Sequence, residues 1–211
     1  MDISKLLYEN GVVPVISIND AKKALPLGKA ILDGGINIIE ITFRTDAAAE
    51  SIKIISENFP DLLVGAGTVL SVEQVDQAIA NGAKFIVTPC FDAEVVDYCI
   101  KKGIDIYPGI VTPSELNEAR KKGLSVVKFF PCETFGGMKA IEAISAPFGN
   151  MKFMPTGGIN ANNLESYVAN KKIIACGGTW IAKSAIIDSG DFEQIRNNVK
   201  EAVSIVKKVR Y

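Results

Sequence analysis

Apolar and polar positions along this chain switch repeatedly between two periods. Short runs rich in β-branched residues recur: VVPVISI (12–18), INIIEITF (36–43), LLVGAGT (62–68), KFIVTP (84–89), DIYPGI (105–110), SVVKFFP (125–131), KFMPTGG (152–158) and IIACGGT (173–179). Their midpoints lie about 20 to 27 residues apart. Near-continuous apolar runs are what parallel strands buried on both faces require. Between them the pattern takes a helical period. In AKKALPLGKAILDGG, Ala24, Leu27 and Ile31 follow i, i+3, i+7, and Gly34-Gly35 ends the segment. SVEQVDQAIANG, DAEVVDYCIKKG, TPSELNEARKKG and NANNLESYVANKK open on cap-type residues, and several close on Gly. Strands alternating with helices predict an α/β fold with a parallel sheet. Eight strands are the number that closes a (β/α)8 TIM barrel. An open doubly wound sheet is the alternative, but near-equal units favour closure. No linker or low-complexity tract intervenes, so one barrel domain over residues 1–211 is expected. Residues 2–10 predict an N-terminal helix at the barrel bottom, and about 192–209 a terminal amphipathic helix.

Composition narrows the function. The 23 basic and 24 acidic residues leave a net charge of −1, with no electrostatic footprint for nucleic acid or an anionic membrane. The longest charge-free run, 153–164, is too short and too polar to span a bilayer. MDISKLLYEN lacks a long apolar segment, so no signal peptide is expected. Cys90, Cys99, Cys132 and Cys176 are widely spaced, with no CxxC, and read as free thiols of a cytoplasmic protein rather than disulfides or a metal site. There is no histidine. Proton transfer therefore falls to Glu, Asp, Lys, Tyr, Cys or water.

In such a barrel the active site lies at the C-terminal strand ends. Two charged residues stand inside apolar runs, Glu40 in INIIEITF and Lys128 in SVVKFFP. Side chains alternate along a strand, so if both faces point inward the two can meet. The bland reading is a buried ion pair. The chemical reading is amine catalysis. Only roughly one free lysine in 2,500 is neutral at pH 7. Desolvation, or a second cation such as Arg44, favours the neutral amine, which can attack a ketone and form a Schiff base. Glu40 is then the natural proton shuttle. Gly157-Gly158 and Gly177-Gly178 follow adjacent strands, where barrels often bind phosphate through backbone N–H groups. Thr179 adds a hydroxyl, and TWIAKS (179–184) is a candidate short helix. Arg44 is a fork suited to a carboxylate, and Thr68 could hydrogen-bond the same group. Pro89 reads foremost as a strand terminator and Phe130 as core.

EITFRT, VGAGTV, IVTPC, YPGIVTPSE, VKFFPCE, MPTGGI and IACGGTW, in this order, closely resemble the 2-keto-3-deoxy-6-phosphogluconate / 4-hydroxy-2-oxoglutarate aldolases from about Val12 to Phe192. The resemblance implies a class I lyase, free of metal and cofactor, that assembles as a homotrimer. It implies a phosphorylated 2-keto acid substrate, cleaved to pyruvate and glyceraldehyde 3-phosphate as in the Entner–Doudoroff pathway. By motif, Lys128 resembles the Schiff-base lysine and Glu40 the acid/base. Arg44 and Thr68 look like the pyruvyl carboxylate contacts, and Pro89 and Phe130 like cavity walls. Thr156, Gly157, Gly158, Gly178 and Thr179 match the phosphate end. Cys90 stands where the family usually has glycine, Cys132 for a common alanine, Phe43 for leucine and Thr179 for serine. These changes bear on the aldehyde side. Relatives acting on 4-hydroxy-2-oxoglutarate or the galactonate epimer are the near alternatives. A phosphosugar isomerase or decarboxylase barrel, or a non-catalytic phosphate-binding barrel, is more remote.

Overall fold

The computed structural model describes residues 3–211; Met1 and Asp2, the start of the expected N-terminal segment, lie outside the described residues. Helix α1 (Ile3–Asn10) buries Ile3 and Leu7 and leads into β1 (Val12–Ile16). The chain then alternates: α2 (Ala24–Gly34), β2 (Ile38–Thr42), α3 (Ala48–Asn58), β3 (Leu63–Gly67), α4 (Val72–Ala80), β4 (Phe85–Val87) and α5 (Ala93–Lys102). It continues with β5 (Asp105–Tyr107), β6 (Gly109–Ile110), α6 (Pro113–Lys121), β7 (Val126–Phe129), α7 (Gly137–Ser145) and β8 (Lys152–Pro155). The last elements are α8 (Ala161–Val168), β9 (Cys176–Gly178), α9 (Ser184–Ser189) and α10 (Phe192–Arg210). The helix ends follow the sequence signals. Gly35 takes φ 102° and donates to Ile31 and Leu32, closing α2. Thr112 and Glu115 form a reciprocal capping box on α6, as do Asn160 and Asn163 on α8.

All ladders are parallel, and the strands lie buried on both faces but for the exposed Asp105 at the start of β5 and the half-buried Lys152 at the start of β8. The single ring of eight expected from the sequence is resolved differently. Six strands run in the order β5-β4-β3-β2-β1-β9, and three in the order β6-β7-β8. The run DIYPGI supplies both β5 and β6, divided at Pro108. Proline has no N–H to give a ladder, so β5 pairs back to β4 while β6 pairs forward to β7. The run IIACGGT is strand only at 176–178, with single bridges Phe153–Ile173 and Thr156–Gly177 joining it to the β8 region. One contiguous apolar cluster fills the strands' inner and outer faces, from Ile3 on α1 to Val206 on α10. Among the described residues no helix is long and apolar enough to cross a membrane.

Candidate active site

The strand registers gather the candidate residues at one end of the parallel strands. Glu40 lies opposite Val15 on one side and Gly65 on the other, and Thr42 lies opposite Gly67. Lys128 lies between Gly109 and Met154. Both charged side chains are fully enclosed, Lys128 at 2% and Glu40 at 0% exposure. Nζ of Lys128 stands 3.8 Å from Oε1 of Glu40, so the two faces do point inward. That is an ion-pair distance but longer than a hydrogen bond. Neither carboxylate oxygen of Glu40 has a hydrogen-bond partner among the described residues. Room for the carboxylate comes from Gly67: a Cβ there would stand 1.9 Å from Oε1. The Phe130 ring lies 5.0 Å from Nζ and walls the amine with apolar surface.

Burial decides the protonation of this pair. Desolvation raises the Glu40 pKa, partly offset by the positive charges of Lys128 and Arg44. Desolvation lowers the Lys128 pKa, opposed by Glu40 and reinforced by Arg44. Both shifts run toward the uncharged form. An apolar site with a carboxyl free of hydrogen bonds and an amine of lowered pKa is suited to nucleophilic attack followed by proton transfer.

Arg44 follows β2 and is exposed, and its Nε donates to Oγ1 of Thr68 at 3.2 Å. Thr68 has φ 54°, the one non-glycine residue with positive φ among those described. A β-branched residue is costly in that region, and such strain clusters where a site over-determines the backbone. Here it sets the hydroxyl against the guanidinium and leaves the rest of the fork open. Pro89 closes β4, and its carbonyl lies against Gly109, where a Cβ would come within 2.3 Å.

The glycine pairs meet next to this pocket. Thr156, buried at 2%, bridges to Gly177, and a Cβ on Gly177 would lie 2.1 Å from its Oγ1. That hydroxyl has no partner among the described residues. Gly157 and Gly158 take φ 97° and 83°, and among the described residues their N–H groups find no acceptor. Gly178 is buried and Thr179 exposed. The expected helix at TWIAKS is a correction: residues 179–182 form turns, and α9 begins at Ser184. Ile181 and Ala182 are both buried, and Lys183 is extended, with ψ 144°. The turn carbonyl of Ile181 is tied to Asn198 of α10 at 2.9 Å.

One cluster beside the site has no counterpart in the sequence pattern. The Tyr167 hydroxyl on α8 donates to Oε1 of Glu133 and lies 3.4 Å from Sγ of Cys132. The partners are 34 and 35 positions apart, so only the fold reveals the contact.

A family model described as KDPG and KHG aldolase matches residues 3–198. A 2-dehydro-3-deoxy-phosphogluconate aldolase of Treponema pallidum is 45% identical over 195 residues, 92% of this chain and 93% of its own. A KHG/KDPG aldolase of Escherichia coli K12 is 37% identical over 96% of this chain and 95% of its own. The crystal structure of KDPG aldolase from Legionella pneumophila, with pyruvate captured as a covalent carbinolamine, superposes with a TM-score of 0.92 at 35% identity, covering 96% of this chain and 98% of that one. The chain belongs to the KDPG and KHG aldolase family.

Proposed function

We propose that this chain is a class I aldolase that cleaves 2-dehydro-3-deoxy-6-phosphogluconate to pyruvate and glyceraldehyde 3-phosphate. The observation that carries the reading is the enclosed Lys128–Glu40 pair, with both groups driven toward neutrality. The neutral amine of Lys128 adds to the C2 ketone; protonated Glu40 gives its proton to the departing hydroxyl, and loss of water leaves an iminium and the Glu40 carboxylate. That carboxylate then takes the C4 hydroxyl proton. The C3–C4 bond breaks, and its electrons flow into the iminium to give an enamine and the free aldehyde. The enamine takes a proton at C3, and hydrolysis releases pyruvate and restores the amine. Arg44 and Thr68 hold the pyruvyl carboxylate, and Pro89 and Phe130 wall the cavity. Thr156, Gly157, Gly158, Gly178 and Thr179 form the phosphate end, with the free N–H groups of Gly157 and Gly158 as donors.

The same reading covers the architecture. The two sheets belong to one (β/α)8 barrel and one domain, supported by the bridges from β8 to β9, by the direct succession of β5 and β6, and by the single apolar cluster. The protein works in the cytoplasm, in keeping with four free thiols. It assembles as a homotrimer, for which exposed Leu70 and Phe135 offer apolar surface.

Incubation with pyruvate and borohydride, followed by peptide mass mapping, tests the chemistry. An adduct on Lys128 alone is expected; none on folded protein, or one on another lysine, overturns it. A second substrate, 4-hydroxy-2-oxoglutarate, is favoured by the relative named for both activities. Comparing kcat/KM on it, on the phosphogluconate and on its galactonate epimer ranks the three.

A further inference from the structure

The loop that follows the lysine strand rides alongside the Gly157-Gly158 loop. Cys132 N–H donates to the Thr156 carbonyl at 2.8 Å, and Glu133 N–H to the Gly157 carbonyl at 3.1 Å. This brings a carboxylate to the anion end. Cβ and Cγ of Glu133 come within 2.5 and 2.4 Å of where a Cβ on Gly158 would stand. The Gly158 carbonyl is held on the other side by Nδ2 of Asn163 at 3.1 Å and of Asn160 at 3.3 Å. An anion-binding loop with its own carboxylate in reach poses a physical problem. The carboxylate repels an incoming anion, and it competes for the same backbone donors.

The fold restrains that carboxylate. Its Oε1 accepts from the Tyr167 hydroxyl. Gly137, at φ 58°, clears the space: a Cβ there would stand 2.8 Å from Glu133 Oε1 and 2.9 Å from the Tyr167 oxygen. Burial and the adjacent Cys132 and Glu133 raise the Tyr167 pKa, so the phenol keeps the proton it donates. The Cys132 thiol, pushed up to about 11 by burial, also stays protonated and can donate to the same oxygen.

We propose that Tyr167 is a positioning residue for the phosphate end: its hydroxyl holds the Glu133 carboxylate away from the Gly157-Gly158 donors and so leaves them to a substrate phosphate. This rests on the assignment of the phosphate end made above.

Three variants test it: Tyr167→Phe, Glu133→Gln, and the two together. Tyr167→Phe removes only a hydroxyl from a buried ring. The primary readout is calorimetric affinity for glycerol 3-phosphate. Tyr167→Phe is expected to weaken it about tenfold, the scale of one partly screened charge contact. Glu133→Gln still accepts from the tyrosine and carries no charge, so it binds at least as well as wild type. In the double variant the freed side chain is neutral, and affinity returns to about the wild-type value. In kinetics, Tyr167→Phe raises KM for the phosphorylated substrate with little change in kcat, and leaves cleavage of unphosphorylated 2-dehydro-3-deoxygluconate, whose aldehyde half carries no charge, unchanged. A double variant as weak as Tyr167→Phe overturns the proposal, as does an equal loss on both substrates. Wild-type protein that fails to bind glycerol 3-phosphate also overturns it. Pyruvate labelling of Lys128 separates the two readings. Its failure in wild type removes the aldolase chemistry, while the affinity comparison still judges the restraint of Glu133.

Discussion

Burial takes the hydration from two charges, Lys128 and Glu40, and a separation of 3.8 Å with no hydrogen bond to either carboxylate oxygen offsets little of that loss. In the proposed chemistry the same unfavourable burial is what makes the amine reactive. Removing both charges should therefore stabilise the protein while ending catalysis. Glu40→Gln with Lys128→Met is expected to abolish turnover and to raise stability by about 1–4 kcal/mol, read from denaturant unfolding. The gain should depend on pH. Glu40 has a folded pKa above its unfolded 4.5, so wild type loses stability as pH rises from 4.5 toward the folded value. Lys128 has a folded pKa below its unfolded 10.5, so wild type loses stability as pH falls from 10.5 toward the folded value. The advantage of the double variant thus widens from either side toward neutrality. An advantage that is flat between pH 4 and 7 would contradict the raised Glu40.

At the scale of elements, the strands act by what they leave out. Gly67 at the end of β3 makes room for the Glu40 carboxylate, since a Cβ would stand 1.9 Å from Oε1. Gly67→Ala should cost about 1–3 kcal/mol of stability through overpacking. It should also lower kcat while sparing KM, because the displaced group is the proposed proton shuttle and not a proposed binding contact; a rise in KM alone would count against that role. The strands and helices were legible in the sequence because apolar runs and caps state their period locally. Lys128 and Glu40 were legible for the same reason, each being a charge in a run that otherwise excludes charge. The division at Pro108 was not read, although the residue that causes it is visible in DIYPGI. TWIAKS misled because consecutive apolar residues fit a turn pressed on the core as well as a helix. Nothing in NANNLESYVANKK singles out Tyr167, which is buried on α8 beside Leu164 and Val168. Its hydroxyl gains meaning only from a carboxylate brought beside it by the fold.

At the scale of the whole molecule, the last helix packs along α2 and α8 and ends near the start of β9, away from the candidate site. Arg210 of α10 donates to the carbonyls of Val168 at 3.2 Å, Ile174 at 3.0 Å and Ile173 at 3.1 Å, and also to that of Tyr8 on α1, whose ring it covers at 4.4 Å. One guanidinium thus joins the two terminal helices to the chain leading into β9. Arg210→Met keeps much of the side-chain volume but leaves those acceptors unpaired. A loss of about 2–4 kcal/mol in unfolding free energy is expected, with kcat within about twofold of wild type because the contact is remote from the strand ends. A catalytic defect without loss of stability would refute this division of labour.

The placement of the four thiols gives the molecule internal reporters of its own breathing. Cys90 is exposed at the end of β4, whereas Cys99 on α5, Cys132 after β7 and Cys176 on β9 are buried. A thiol reagent under native conditions should consume Cys90 first, one equivalent per chain, and faster as pH rises, because partial burial and the nearby Asp92 and Glu115 raise its pKa. The other three react only as their surroundings open, since burial both hides them and holds Cys99 at about 12 and Cys132 at about 11, far from the reactive thiolate. The order in which they are consumed is the order in which α5, the lysine loop and the last strand come loose.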